Sequence, residues 1–473
     1  MNQSRESKLV KNTVILAIGT FFPKLAVFIT LPVLTGYLTK VEYGTYDLVL
    51  TLVSLLLPAA TLQIQTAAFR FLIERRDQKE EIRTIISNIY AFILPISMVV
   101  LVVLYCVLWS QPTLIRIEIC LYFLFDILSG ATRQIVRGVG KNSLYTMSAF
   151  VSAVSQIACV FLFVWFAGWG LAGAILALCI GEFGSLICLL LKGNVVGCID
   201  VKLVNKACLK SLLAYSWPMV PNSLSMWVMR VSDRFVITAV MGVAVNAVYA
   251  VAYKIPSILN LAHNTFNMAW QESASIASKD SDANAFFSKI FRDLYDITTG
   301  MLSALIGVTP LLFVILVRGD YGEAYNQIIV LYLAIFFCAL SSFWGGLYVA
   351  YQKTKSVGFT AVLAALINLV VDIALIKWIG LYAASGSTLV SYLFLCVFRM
   401  IDTRKFLNIH YDYKHIFITL VILIAQCIVC AQRVLALDVI NFIAGVCVFV
   451  VLNRDLMLSY WNRFTKKVQK LKN

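Results

Sequence analysis

Along the whole chain, long apolar runs alternate with short polar breaks. A helix crosses about 30 Å of hydrocarbon in roughly 20 residues. Runs of that length fall near 13–36, 44–69, 85–109, 113–138, 144–166 and 170–192. After a break they resume near 211–241, 245–273, 290–317, 325–350, 357–378 and 382–402, and two more close the chain near 414–432 and 436–459. The pattern predicts an all-α polytopic membrane protein with about fourteen transmembrane helices. The breaks are too short for a soluble catalytic or nucleotide-binding domain, so no enzymatic activity is expected. The opening "MNQSRESKLVKNTVILAIG" has the basic-then-apolar order of a signal peptide. Its apolar run continues past Pro23 without a small-residue cleavage site, which reads as an uncleaved first span.

Composition agrees with a membrane-embedded chain. It is 61% hydrophobic and 13% charged, against roughly 45–50% and 25% for soluble domains, and its mean hydropathy is +0.86. The net charge of +15 invites a nucleic-acid partner, but its distribution gives a topology instead. With the N-terminus inside, the inner breaks hold clusters such as Arg70, Arg75, Arg76, Lys79, Arg83 and Lys192, Lys202, Lys206, Lys210. The outer breaks hold only Lys40, Arg116, Arg318, Lys377 and Arg433. That asymmetry predicts both termini inside and no nucleic-acid binding. "GVGKNS" (138–143) lacks the first glycine and the hydroxyl residue of a phosphate loop and reads as a tight turn. Cys427 and Cys430 form a CxxC inside an apolar run with no second ligand pair, so neither a metal nor a cofactor is expected.

Shifting the chain by about 203–212 residues lays one half over the other. Tyr46 falls on Tyr249, "GLAGAI" (170–175) on "GLYAAS" (380–385), and Lys141 on Lys353. Six spans per repeat is an even number, so both halves enter the membrane from the same side, as parallel transporter repeats do. The expected organisation is an N-terminal lobe over 1–195, a cytoplasmic linker over 196–210, a C-terminal lobe over 211–405, and two extra helices with a basic tail over 406–473.

Several stretches then carry a resemblance: "LPVLTGYLTKVEYGTYDL" (31–48), "AAFRFL" (67–72), "SDRFVI" (232–237), "YAVAYKIPSIL" (249–259), "NMAWQES" (267–273) and "KTKSVGFTAVLAALINLVVDIALI" (353–376). In order and spacing the chain resembles the Wzx-type polysaccharide (O-antigen) flippases of the multidrug/oligosaccharidyl-lipid/polysaccharide exporter superfamily. The resemblance implies a MATE-like core of two six-helix lobes with two added C-terminal helices. It also implies a role in the bacterial plasma (inner) membrane, moving undecaprenyl-pyrophosphate-linked oligosaccharide outward for O-antigen, capsule or exopolysaccharide assembly.

Charges inside the spans supply the candidate chemistry. "SWPMVPNSLSMWVMRVSDRFVI" (216–237) places Arg230, Asp233 and Arg234 on one helix face. Lys24 lies about midway along the first span, and Lys254 is expected near the midplane of the eighth. Lys24, Arg230, Arg234 and Lys254 are candidates for a cationic lumen around the pyrophosphate. Asp233 stands either as a lumen partner or as a structural neutraliser of Arg230 or Arg234. Asp126, Glu182 and Asp372 are candidate sites for a coupling proton or sodium ion, since a charge inside a bilayer is costly and marks ion pathways. Beyond substrate and membrane lipid, expected partners are a polysaccharide polymerase and other assembly proteins. The alternative reading is a multidrug/cation antiporter of the same superfamily, for which an acidic lumen is expected.

Overall fold

The computed structural model describes residues 22 to 454 except Lys279, together with Gly19, Met457 and Leu458. The beginning of the first span, the basic residues Arg5, Lys8 and Lys11, and the tail from Arg463 onward lie outside the described residues. No strand occurs among the described residues, and each of the fourteen predicted spans is helical over most of its described length. Among the described residues, ten helices are long and apolar enough to cross a membrane.

The first six spans form α1 (Phe22–Tyr37), α2 (Lys40–Thr61) with α3 (Ile64–Glu74), α4 (Lys79–Val107), α5 (Thr113–Gly138), α6 (Asn142–Cys159) and α7 (Gly170–Gly193). The end of α6 continues as a π-helical turn over Val160–Phe166. The short α8 (Lys206–Ser216) leads into α9 (Met219–Met241), α10 (Val243–Lys254) and α11 (Ser257–Ala277). Then come α12 (Ala283–Leu316), α13 (Ala324–Ala350), α14 (Thr354–Ile379), α15 (Leu381–Thr403), α16 (Tyr413–Ala431) and α17 (Leu435–Leu452).

Three spans that read as continuous are broken. The seventh bends at Trp217–Pro218 and the eighth at Ile255–Pro256, where each proline precedes the next helix. A proline removes a backbone donor and clashes with the preceding turn, so the ladder stops there. The second span breaks without proline or glycine: Leu62 and Gln63 adopt φ of 46° and 58°.

By packing, the chain forms two compact units. The first extends to Ala247 and takes in residues 316–319; the second comprises Val248–Ile315 and the chain from Asp320 onward. In the first, α5, α6 and α7 form the densest bundle and α2 packs on α9. Thr39 caps α2 in a reciprocal box: its hydroxyl accepts from Glu42 N at 3.2 Å, and the Glu42 carboxylate accepts from Thr39 N at 2.9 Å. The other Glu42 oxygen accepts from Leu171 N at 3.3 Å, tying the start of α7 to the same corner. In the second unit, α13 lies against α15, α14 and α11.

The last two helices belong to the second unit through buried polar contacts. Ser303 of α12 donates to Gln426 of α16 at 2.6 Å, and Asn441 of α17 donates to the Gln426 carbonyl at 3.1 Å. Cys427 and Cys430 are buried free thiols on α16, the latter 3.1 Å from the Tyr325 hydroxyl. Backbones come close where glycines face them: a Cβ on Gly445 would lie 2.6 Å from the Ser303 carbonyl oxygen, and one on Gly307 2.8 Å from Phe442 Cα. Such close approach is how helices associate where lipid removes the hydrophobic drive.

Candidate functional site

About halfway along α5, α6 and α7, the first unit encloses a polar cluster built around two carboxylates. Glu182 of α7 accepts from Arg133 Nη2 at 2.8 Å, from the Ser152 hydroxyl at 2.9 Å, and from the Ser129 hydroxyl. Arg133 also donates to Ser185 at 2.9 Å. Its charge and the Glu182 charge therefore balance within one network. Asp126 faces the same network as a like-charged neighbour of Glu182. Among the described residues, the Asp126 carboxylate makes no hydrogen bond or ion pair. Asp126 and Glu182, named separately from the sequence, thus come together, with Arg133 on Glu182 rather than Asp126. The cluster can hold one fixed negative charge in an ion pair and leave a second carboxylate open to a proton or small cation.

The charged trio of α9 is distributed over different surroundings. Arg234, 8% exposed, pairs with Asp47 of α2 at 2.9 Å and with the Thr51 hydroxyl at 3.1 Å. Its neutralising acid therefore comes from another helix. Trp227, two turns earlier on α9, donates to Ser54 at 2.9 Å and extends this α2–α9 seam. At one end of the seam Gly44 meets Val243 so closely that a Cβ would fall 2.2 Å from the Val243 carbonyl oxygen. Asp233 is buried, Arg230 is exposed, and Lys24 on α1 is half-buried with Arg230 acting on it as a like charge.

In the second unit, Lys254 is half-buried at the end of α10, immediately before the Ile255–Pro256 break. A helix C-terminus favours a cation through its free carbonyls. Asp372 of α14 is fully buried. One turn earlier, Asn368 donates to the hydroxyls of Ser387 at 3.3 Å and Thr388 at 3.4 Å on α15. Asp372 thus lies on the same helix one turn from a buried set of neutral polar groups shared between α14 and α15. Asp296, another acid inside a predicted span, is engaged differently: it bonds His415 at 2.6 Å and lies 3.9 Å from Arg292, fastening α16 to α12.

Sequence reasoning missed Arg133, Asn368, Ser387 and Thr388. The first has no acid within a turn on its own helix, and its partner Glu182 lies on another. The others are neutral residues whose role shows only when two helices meet.

These helices and their buried charges define a helical membrane transporter fold. Its resemblance to solved structures is broad. A structure of the lipid II flippase MurJ in an inward closed conformation aligns over 94% of this chain and 100% of that one, with 14% identity and a TM-score of 0.65. The MATE multidrug transporter DinF-BH aligns over 84% and 95%, with 16% identity and a TM-score of 0.62. An outward-facing MATE family transporter of the MOP superfamily covers 84% and 94% at 13% identity, TM-score 0.59. No curated protein sequence gives a significant match. The chain belongs to the polysaccharide biosynthesis protein family, whose profile matches residues 9–271, more than half its length.

Proposed function

We propose that this protein is a flippase of the bacterial plasma membrane. It carries undecaprenyl-pyrophosphate-linked oligosaccharide units from the inner to the outer leaflet for O-antigen, capsule or exopolysaccharide assembly. The observation that carries this reading is the pairing of polysaccharide-family membership with a fold shared along nearly the whole chain with a lipid II flippase. Both termini lie inside, two six-helix lobes derive from the duplication, and a polymerase and other assembly proteins receive the product.

In this reading the sugar headgroup occupies a lumen while its polyprenyl tail stays in lipid. Lys24, Arg230 and Lys254 supply positive charge for the pyrophosphate. Arg234, bound to Asp47, serves as part of a latch between α2 and α9 that must part when the outer side opens. An inside-negative potential favours outward movement of the anionic headgroup by about 2.3 kcal/mol per charge per 100 mV. A proton or sodium ion moving inward adds to this. Asp126 is the coupling site in the first unit because Glu182 is already neutralised by Arg133, and Asp372 is the candidate in the second. The second reading, a multidrug/cation antiporter, is favoured by the likeness to MATE structures and by the open Asp126 carboxylate.

Replacement of Lys24 and Lys254 singly by Ala and by Arg separates the two. With membrane abundance controlled, surface glycan is expected to fall sharply in each Ala variant and to recover in each Arg variant. Unchanged glycan in all four variants removes both lysines from the site. Wild-type glycan together with lost resistance to cationic drugs would favour the antiporter.

A further inference from the structure

The segment between α7 and α9 is a strap fixed from beneath. Ser87 and Asn88 are buried on α4. Asn88 accepts from Asn205 N at 2.9 Å and donates to the Leu203 carbonyl at 3.2 Å, while Ser87 accepts from Asp200 N at 2.9 Å. On α8, Leu212 is fully buried and the Tyr215 ring meets Phe71 edge-on at 5.8 Å. With its backbone pinned in this way, the strap cannot turn its outer side chains inward.

Those outer side chains are of two kinds. Val196, Val201 and Trp217 are 60%, 83% and 58% exposed. Lys202, Lys206 and Lys210 are exposed among them. One face of α8 gathers Lys206, Leu209, Lys210, Leu213 and Trp217 around a shallow depression of about 430 Å³. The acid of the strap, Asp200, sits 3.5 Å from Arg83. Among the described residues, none of the three lysines makes an ion pair. Large apolar side chains held out beside uncompensated lysines suit neither water nor hydrocarbon. They suit the layer between, where apolar groups reach the acyl boundary and ammonium groups reach lipid phosphates.

We propose that the strap over residues 196–217 binds the anionic phospholipid of the surrounding leaflet. Lys206 and Lys210 hold the phosphate at the α8 depression, Lys202 adds to the field, and Val201 and Trp217 enter the bilayer edge. The occupant is chosen by charge complementarity. The proposal requires only that the helices span a membrane and is independent of what the protein transports.

The test uses the full-length protein in nanodiscs of phosphatidylcholine with and without phosphatidylglycerol. Retained lipid is read by native mass spectrometry after release. Wild type is expected to retain phosphatidylglycerol in preference to phosphatidylcholine, and added salt to erode the preference. The triple variant Lys202→Gln, Lys206→Gln, Lys210→Gln is expected to lose about tenfold or more of that preference, and the triple Arg variant to keep it. Because these side chains are exposed, all variants should elute and melt like wild type. Equal phosphatidylglycerol retention by the Gln variant would overturn the proposal. So would displacement of the lipid by inorganic phosphate, which marks a free-anion site, or equal retention of phosphatidylcholine, which marks an apolar contact alone.

Discussion

Glu182 accepts from Arg133, Ser152 and Ser129, whereas among the described residues the Asp126 carboxylate beside it makes no hydrogen bond or ion pair. The two should therefore answer differently to neutralisation. Glu182→Gln leaves the half-buried Arg133 charge without its counter-ion. Its melting temperature in detergent should fall clearly, with transport lost as a consequence. Asp126→Asn removes no partner from anything, so it should melt close to wild type while glycan export loses its dependence on the ion gradient. Equal destabilisation by both changes would sink the division of roles. The sequence made all these charges visible, because a carboxylate inside an apolar run stands out. It did not disclose partners. Spacing along one helix predicts contacts at i+3 and i+4 only, whereas Arg133 reaches from α5 to α7 and Arg234 from α9 to α2.

Helix positions were legible almost throughout, since each apolar run fixes its own span by length. Breaks were legible only where chemistry announces them. Pro218 and Pro256 mark two of the three, while Leu62–Gln63 carries neither glycine nor proline and looks continuous. The role of the final helix pair was also invisible, because a lipid-facing apolar helix reads the same whether loose or docked. In the structure α17 is docked through glycine. Gly445→Ala would push a methyl to within 2.6 Å of the Ser303 carbonyl oxygen, a backbone atom that cannot swing aside. The expected result is separation of α12 from α17, with about 1–3 kcal/mol lost as in other overpacked contacts. Gly386→Ala, where nothing lies within 4 Å of the added carbon, is the control and should melt like wild type.

For the molecule as a whole, duplication and packing draw different boundaries. The repeat expected from the sequence would put α9 at the start of the second half, whereas by packing α9 clusters with the first unit through its seam with α2. A repeat records ancestry; a compact unit records which contacts are made in one conformation. The inside excess of lysine and arginine predicts orientation independently of either. In a cysteine-free background, single cysteines at Lys202 and Lys353 should react with an impermeant maleimide only in inverted vesicles. Cysteines at Lys377 and Arg433 should react only in whole cells or right-side-out vesicles. The opposite pattern would reverse the topology and, with it, the direction of export.

The kink between α2 and α3 stores work. Left-handed backbone at a residue with a Cβ costs on the order of 1–2 kcal/mol, and Leu62 and Gln63 pay it in succession. Straightening α2 and α3 into one rod would release that energy and, in exchange, give up the bond from Gln63 to Ser223 on α9. The bend is also held locally, by the Thr61 hydroxyl accepting from Gln63 N at 3.3 Å and by Thr66 donating to the Gln63 side chain at 3.2 Å, so straightening would exchange a whole set of bonds for relief of the backbone cost.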